Sequence, residues 1–77
     1  MTLDSLSLGA TARVTDLNCE PAWRERLAGL GLLPGSRVQL IQRLGRGGPL
    51  KLRIGRTEFV MRPAQAAQIL IEPLESA

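Results

Sequence analysis

Residues 24–40 have the sequence RERLAGLGLLPGSRVQL, in which a helix ends, a turn follows and a strand begins. Trp23, Leu27 and Leu30 fall at i, i+4 and i+7, the spacing of one apolar stripe on a helix. Gly31 follows where a helix commonly takes a left-handed residue, because glycine has no Cβ to clash there. The pattern predicts a short helix whose stripe packs against the rest of the chain.

The turn after this helix is encoded by Pro34-Gly35, which fits the two central positions of a type II turn. Proline presets the first φ, and glycine accepts the positive φ of the second position. Val38 and Leu40 then start a period-two alternation, which indicates a strand. Upstream, Asn18 is a favoured N-cap, so we expect the helix to run from there to about Leu30.

Alternation and turn residues elsewhere predict a chain of short strands with one helix inserted. The predicted strands are Thr11–Leu17, Arg37–Leu44, Leu50–Ile54, Thr57–Met61 and a closing strand around Ile69 and Ile71. A single helical turn that begins at Pro63 precedes the last strand. We therefore expect one mainly β domain over residues 1–77. It is a small, partly open SH3-like barrel of about five strands, with a short α-helix after the first and a helical turn before the last.

The turns also predict how the middle strands pair. With Leu44 opposite Leu50, the second and third strands place their apolar residues on one side. The two-residue turn Gly55–Arg56 places Leu52 opposite Phe59. Both registers bury the same face of the third strand, so we expect a three-stranded meander.

Composition narrows the classes of function. The chain has 77 residues and a net charge of +3, a balance that does not separate nucleic acid, anionic lipid and acidic protein as partners. One Trp, one Phe and no Tyr leave few rings for base stacking, so nucleic acid is not expected. A single cysteine and no apparent signal sequence favour the cytoplasm. The aliphatic run Ile69–Ile71 is too short to cross a bilayer, so no membrane insertion is expected.

Catalysis is not expected. The sequence contains no histidine, so neither Cys19 nor any serine has the base that nucleophilic catalysis commonly uses. The glycine-rich segment 45–49 lacks the spacing of a phosphate-binding loop, and no helix follows it. We interpret that segment as a hairpin loop.

Asp16, Cys19 and Glu20 are the candidate metal ligands, because they lie close together at the junction of the first strand and the helix. One thiolate and two carboxylates would hold a divalent transition metal such as Fe2+ or Zn2+ weakly, or share it between two copies in a weak homodimer. The alternative interpretation is that the cysteine fills space and the acids favour a helix start. No cofactor is required under either interpretation.

Basic and apolar residues together predict a surface for a protein partner. In the predicted register Arg43 and Lys51 lie opposite each other on the outer face, and Arg46 adds to them at the loop. Like charges in that position cost stability, so the cluster is kept for an acidic partner or splays into solvent.

Exposed apolar residues extend this predicted surface. Leu32 and Leu33 are adjacent, so both can hardly be buried, while Ile41 and Leu70 point outward from their strands. Such a patch is typical of a docking surface, unless a bulge turns some of its residues inward. The partner-binding residues predicted from charge and exposure are Leu32, Leu33, Ile41, Arg43, Arg46 and Lys51.

One further pattern covers nearly the whole chain. It comprises Leu3-x-x-Leu6-x-x-Gly9, Val14, Arg26-Leu27-x-x-Leu30-Gly31-Leu32-x-Pro34-Gly35-x-x-Val38, Gly48-Pro49-Leu50, Met61-Arg62-x-x-x-Ala66 and Ile69. This pattern resembles the FeoA family, the small cytoplasmic companions of the bacterial ferrous iron transport system. The helix followed by Leu30-Gly31-Leu32-x-Pro34-Gly35 is its specific part.

The resemblance implies an SH3-like barrel without catalysis of its own. It implies an accessory protein of ferrous iron uptake that docks on, and modulates, the membrane permease with a GTP-binding cytoplasmic domain. It would then be recruited to the inner face of the membrane by that partner. The alternative, from a different class, is a metal-responsive regulatory module that binds a divalent ion and bridges two copies.

Overall fold

The computed structural model describes residues 1–74, and the remainder of the predicted domain, residues 75–77, lies outside the described part. The chain order is a single 3₁₀ turn followed by strand β1, helix α1, strands β2 to β4, the short helix α2 and strand β5. Their bounds are Leu3–Ser5, β1 Thr11–Leu17, α1 Pro21–Gly29, β2 Arg37–Arg43, β3 Leu50–Ile54, β4 Thr57–Met61, α2 Pro63–Ala66 and β5 Ile69–Pro73.

The five strands form one sheet in the order β4-β3-β2-β1-β5, and every pair of neighbours is antiparallel. The register shifts between Val14 and Asp16 in β1 and between Leu40 and Gln42 in β2. Such bulges bend strands and increase their twist, which curls a five-stranded sheet toward a barrel. The predicted fold class is confirmed, with α1 after the first strand and α2 before the last.

The end of α1 has the predicted glycine geometry. Gly31 has a φ of +92°, and its N–H donates to the Ala28 carbonyl at 3.0 Å. The Leu32 N–H donates to the Leu27 carbonyl at 2.9 Å. These two bonds make a Schellman motif, which satisfies carbonyls that the helix end would otherwise leave unpaired.

The start of α1 differs from the prediction. Asn18 is not the N-cap, because the helix begins at Pro21 and Glu20 precedes it. The Asn18 N–H instead donates to the Gln68 carbonyl at 2.7 Å, which ties the end of β1 to the segment before β5. Asparagine is favoured at helix N-caps, but the backbone N–H of Asn18 is used in this long-range hydrogen bond instead.

The turn after the helix is the predicted type II turn. Gly35 has a φ of +94°, and the Ser36 N–H donates to the Leu33 carbonyl at 2.9 Å. The Gly35 N–H also donates to the Val14 carbonyl at 2.7 Å, so the turn is fastened to β1. This anchor fixes where β2 begins in the sheet.

The predicted register of β3 with β4 is confirmed, and that of β2 with β3 is wrong. Leu52 lies opposite Phe59 as expected. In the other pair Leu50 faces Arg43 instead of Leu44, and Leu40 faces Leu52. The bulge between Leu40 and Gln42 is the reason, because one extra residue in β2 changes which residues meet across the pair.

A single apolar core lies inside the curved sheet, and no polar or charged residue among residues 1–74 is buried in it. Helix α1 contributes only Leu27 as a buried residue, while Trp23 is half-buried against the core and Leu30 is 39% exposed. The predicted stripe is therefore correct for Leu27 and wrong for Leu30. The buried residues are Leu3, Leu6, Ala12, Val14, Leu17, Leu27, Leu32, Val38, Leu40, Leu50, Leu52, Met61, Ala66, Ile69 and Ile71.

Candidate docking site

The two adjacent leucines after α1 take different environments. Leu32 is completely buried in the core, so its predicted place on a docking surface is wrong. Leu33 is 48% exposed at the tip of the turn, where its N–H is held by the Ser36 hydroxyl at 3.0 Å. The residue after Gly31 in a Schellman motif commonly packs against the last turn of its helix, and here that position lies over the core.

Arg43 is engaged within its own chain. Its Nη2 atom donates to the carbonyls of Asp4 at 2.9 Å and of Leu6 at 2.8 Å. The expected juxtaposition with Lys51 is wrong, because Gln42 lies opposite Lys51 across the β2–β3 pair. Arg43 therefore fastens the N-terminal segment to β2.

Lys51 also has an intramolecular partner. Its Nζ lies 3.3 Å from Glu58, and Arg53 meets the same carboxylate at 2.7 Å. The Arg53 and Lys51 side chains hold the pKa of Glu58 below its ordinary value, with the Arg53 hydrogen bond as the larger cause. Ile41 is half-buried at the bulge, and Arg46 is exposed in the β2–β3 loop. The six predicted partner-binding residues thus do not form one exposed cluster.

The three candidate metal ligands do not converge. The Asp16 carboxylate accepts the Leu17 N–H at 2.8 Å, Cys19 packs half-buried against the core, and Glu20 is exposed. Within residues 1–74 no group of three His, Cys, Asp or Glu side chains is placed to hold an ion. The three residues are close in sequence, but the chain turns between β1 and α1, so their side chains do not meet in space. A metal shared between two copies stays a prediction.

An apolar groove between α1 and β4 is the feature that sequence reasoning missed. It has a volume of about 380 Å³ and is lined by Trp23, Arg26, Leu27, Leu30, Phe59, Val60 and Met61. Val60 is 57% exposed and Leu30 is 39% exposed, so two large aliphatic side chains meet solvent at its rim. The one available signal was Val60, an apolar residue at an outward position of the predicted fourth strand.

The Arg26 side chain adds a cation to this groove. Its guanidinium lies 5.6 Å from the centre of the Trp23 ring, within the range of a cation–π interaction. The groove therefore combines an aromatic ring, aliphatic side chains and one positive charge. Apolar surface with an arginine and an aromatic residue is the composition found at the centres of protein interfaces.

No helix within residues 1–74 has the length and apolar character needed to cross a membrane. The family model described as the FeoA domain matches residues 1–73. The chain belongs to the FeoA family. This family is associated with ferrous iron transport, and it is a small accessory domain rather than a known enzyme family.

Solved FeoA structures share the fold of this chain. The FeoA protein of Chlorobium tepidum is 32% identical with a TM-score of 0.92, over 97% of this chain and 71% of that one. The Stenotrophomonas maltophilia FeoA, solved in complex with zinc, is 33% identical with a TM-score of 0.78, over 94% and 89%. That protein is described as a prokaryotic SH3 domain protein, for which a role as a ferrous iron transport activating factor has been put forward. The SH3-like description agrees with the predicted barrel.

Two further structures have the same fold. Iron(II) transport protein A of Clostridium thermocellum is 30% identical with a TM-score of 0.89, and this chain spans 46% of it. A manganese-dependent transcriptional repressor is 20% identical with a TM-score of 0.83, over 41% of its length. At that identity the repressor shares the fold alone.

Proposed function

We propose that this chain is a non-catalytic, cytoplasmic accessory protein of ferrous iron uptake that docks on the membrane permease and modulates it. The observation that carries the proposal is the FeoA match, which extends over residues 1–73. The partner is the permease with a GTP-binding cytoplasmic domain, and the contact is between two proteins without a covalent step.

The chemistry of the chain supports a role in binding. The sequence has no histidine, and the one thiol, Cys19, packs half-buried against the core. No buried polar or charged residue occurs among residues 1–74, so the described part lacks a buried catalytic constellation. The α1–β4 groove instead supplies the exposed apolar surface that a docking protein needs.

A binding titration with the purified cytoplasmic portion of the permease tests this function. We expect the wild-type chain to bind and Val60→Asp to weaken binding about tenfold or more, because a buried unpaired carboxylate would oppose contact at the groove. Leu44→Asp is the matched control, because Leu44 is another exposed aliphatic residue, at 42%, that does not line the groove.

The outcomes test the docking function and the position of the docking surface separately. If the wild-type chain does not bind the permease portion at all, the proposed function is wrong. If Leu33→Asp weakens binding and Val60→Asp does not, the function stands and the docking surface lies at the turn tip. Each variant is first checked for an unchanged far-ultraviolet circular dichroism spectrum.

A metal-responsive regulator is the second candidate, and the zinc complex of the Stenotrophomonas maltophilia FeoA favours it. Because Asp16, Cys19 and Glu20 do not form a site within one copy, an ion would have to be shared between two. Calorimetry with Fe(II) or Zn(II) on the wild type and on Cys19→Ala tests this, together with sedimentation of both. Equal heats and equal masses for the two proteins would remove the shared site.

A further inference from the structure

Strand β4 forms an edge of the sheet that no other strand covers within residues 1–74. The opposite edge of the sheet is formed by β5, and it has backbone contacts with the N-terminal segment. Thr2 forms a bridge with Leu70, and the Ile71 N–H donates to the Met1 carbonyl at 2.8 Å. The N-terminal segment thus covers part of the β5 edge. An uncovered edge presents backbone donors and acceptors in the arrangement that pairs with another strand.

The hairpin geometry shows which backbone groups of β4 face outward. Ile54 and Thr57 flank the two-residue turn, and such a flanking pair is hydrogen-bonded. Because hydrogen-bonded and non-hydrogen-bonded pairs alternate along an antiparallel ladder, Glu58 and Val60 direct their N–H and C=O groups away from β3. Phe59, which lies between them, directs its N–H and C=O groups to β3, as do Thr57 and Met61.

The groove lies beside this edge and is bordered by positive charge. Arg56 immediately precedes β4 and Arg62 immediately follows it, while Arg26 lines the groove itself. None of these three arginines forms a salt bridge within residues 1–74, where Glu58 takes both ion pairs with Lys51 and Arg53. A strand laid along β4 would meet a cation at each end and apolar side chains on its inner side.

We propose that the β4 edge and the α1–β4 groove bind an extended acidic segment of the partner protein by β-strand addition. Its backbone pairs with Glu58 and Val60, its alternate apolar side chains enter the groove, and its carboxylates meet Arg56 and Arg62. Main-chain hydrogen bonds then supply affinity, and the groove and charges supply selectivity. This mode of binding rests on the proposed docking function and specifies the segment that docks.

A second copy of this chain is a poorer occupant of the same edge. If two copies of β4 paired antiparallel with full overlap, Phe59 would lie on the two-fold axis. Arg56 of each copy would then lie opposite Arg62 of the other, and like charges directly opposite destabilise a strand pair. An acidic segment reverses that interaction.

The experiment uses short synthetic peptides and the whole chain. One peptide alternates valine with glutamate, and a matched peptide alternates valine with lysine. We expect the glutamate peptide to bind and to slow hydrogen exchange at the Glu58 and Val60 amides, and the lysine peptide to bind at least about tenfold more weakly. Equal affinity for the two peptides, no binding of either, or slowed exchange confined to other strands would overturn the proposal.

Two sets of variants test the backbone and charge parts separately. Val60→Pro removes an outward N–H that the β3 ladder does not use, and we expect it to lose about tenfold in affinity, whereas Val60→Ala keeps that N–H and loses less. The double variant Arg56→Glu with Arg62→Glu keeps the backbone and should prefer the lysine peptide. Retained preference for glutamate in the double variant would overturn the proposal even if Val60→Pro failed to fold.

Measurements with the permease portion distinguish this inference from the function. If that portion binds Val60→Pro as tightly as the wild type and leaves β4 exchange unchanged, docking stands and strand addition is wrong. If the glutamate peptide binds as expected but the permease portion does not, the docking function fails and the edge remains a peptide site. A dimer in sedimentation that Val60→Pro abolishes would assign the edge to a second copy and overturn the proposal.

Discussion

Replacement of Arg43 by methionine should loosen the N-terminal segment. Arg43 donates from one nitrogen to the carbonyls of Asp4 at 2.9 Å and Leu6 at 2.8 Å. Leu3 and Leu6 on that segment are buried in the core, so these bonds help to hold two core residues in place. Methionine keeps most of the aliphatic stem and removes only the donor.

The expected loss follows from two hydrogen bonds to a charged donor. Such bonds contribute about 1.5–3 kcal/mol each where they are shielded, but the Arg43 side chain is exposed, so water competes for both carbonyls. We expect a loss of about 1–2 kcal/mol in the free energy of unfolding for the pair. For a domain of this length that corresponds to a fall of about 5–15 °C in the unfolding midpoint.

Thermal unfolding followed by circular dichroism measures this change. Arg46→Met is the matched control, because Arg46 is an exposed arginine whose side chain makes no hydrogen bond or ion pair within residues 1–74. Hydrogen exchange at the Ile71 amide gives a local readout, because that N–H donates to the Met1 carbonyl. Faster exchange there is expected in Arg43→Met alone. Equal midpoints for the two variants, with unchanged exchange at Ile71, would refute the assignment of Arg43 as the fastener of this segment.

Two further predictions concern the helix end and the charged pair on the sheet. Gly31→Ala should destabilise the chain by about 1–2 kcal/mol, because an L side chain is strained at a φ of +92°, whereas Gly29→Ala in the last turn of α1 should be neutral or stabilising. Denaturant unfolding compares them, and an equal loss for both would contradict the reasoning. Because the folded pKa of Glu58 is lowered from 4.5, its contribution is present above that pH and lost as the pH falls through the folded pKa. The difference in midpoint between the wild type and Glu58→Gln should therefore shrink below about pH 4.5, and a pH-independent difference would contradict it.

Features set by neighbouring residues were predictable from the sequence. Gly31 and the Pro34-Gly35 turn have the expected conformations because a positive φ selects glycine over every residue with a Cβ. The register of β3 with β4 was predictable because a two-residue turn leaves only one alignment of its flanking strands. The family pattern spans these same elements, so fold and family were accessible without a structure.

Features that depend on distant parts of the chain were not predictable. The bulge beside Ile41 changed the register of β2 with β3, since a long glycine-rich loop constrains the alignment of its strands weakly. Arg43 and Lys51 consequently contact different partners within the chain, so the predicted basic cluster does not form. Asp16, Cys19 and Glu20 remained neighbours in sequence only.

The stretch from the helix to the second strand shows both kinds of control. Its own residues determined the helix end and the turn, because caps and turns depend on the φ preferences of a few adjacent residues. Only the tertiary structure decided that Leu32 enters the core while Leu33 and Leu30 meet solvent. The direction of a side chain relative to the core depends on how α1 and the turn are fastened to β1 and set against β4. The α1–β4 groove exists for the same reason, since its walls come from segments about thirty residues apart that only folding brings together.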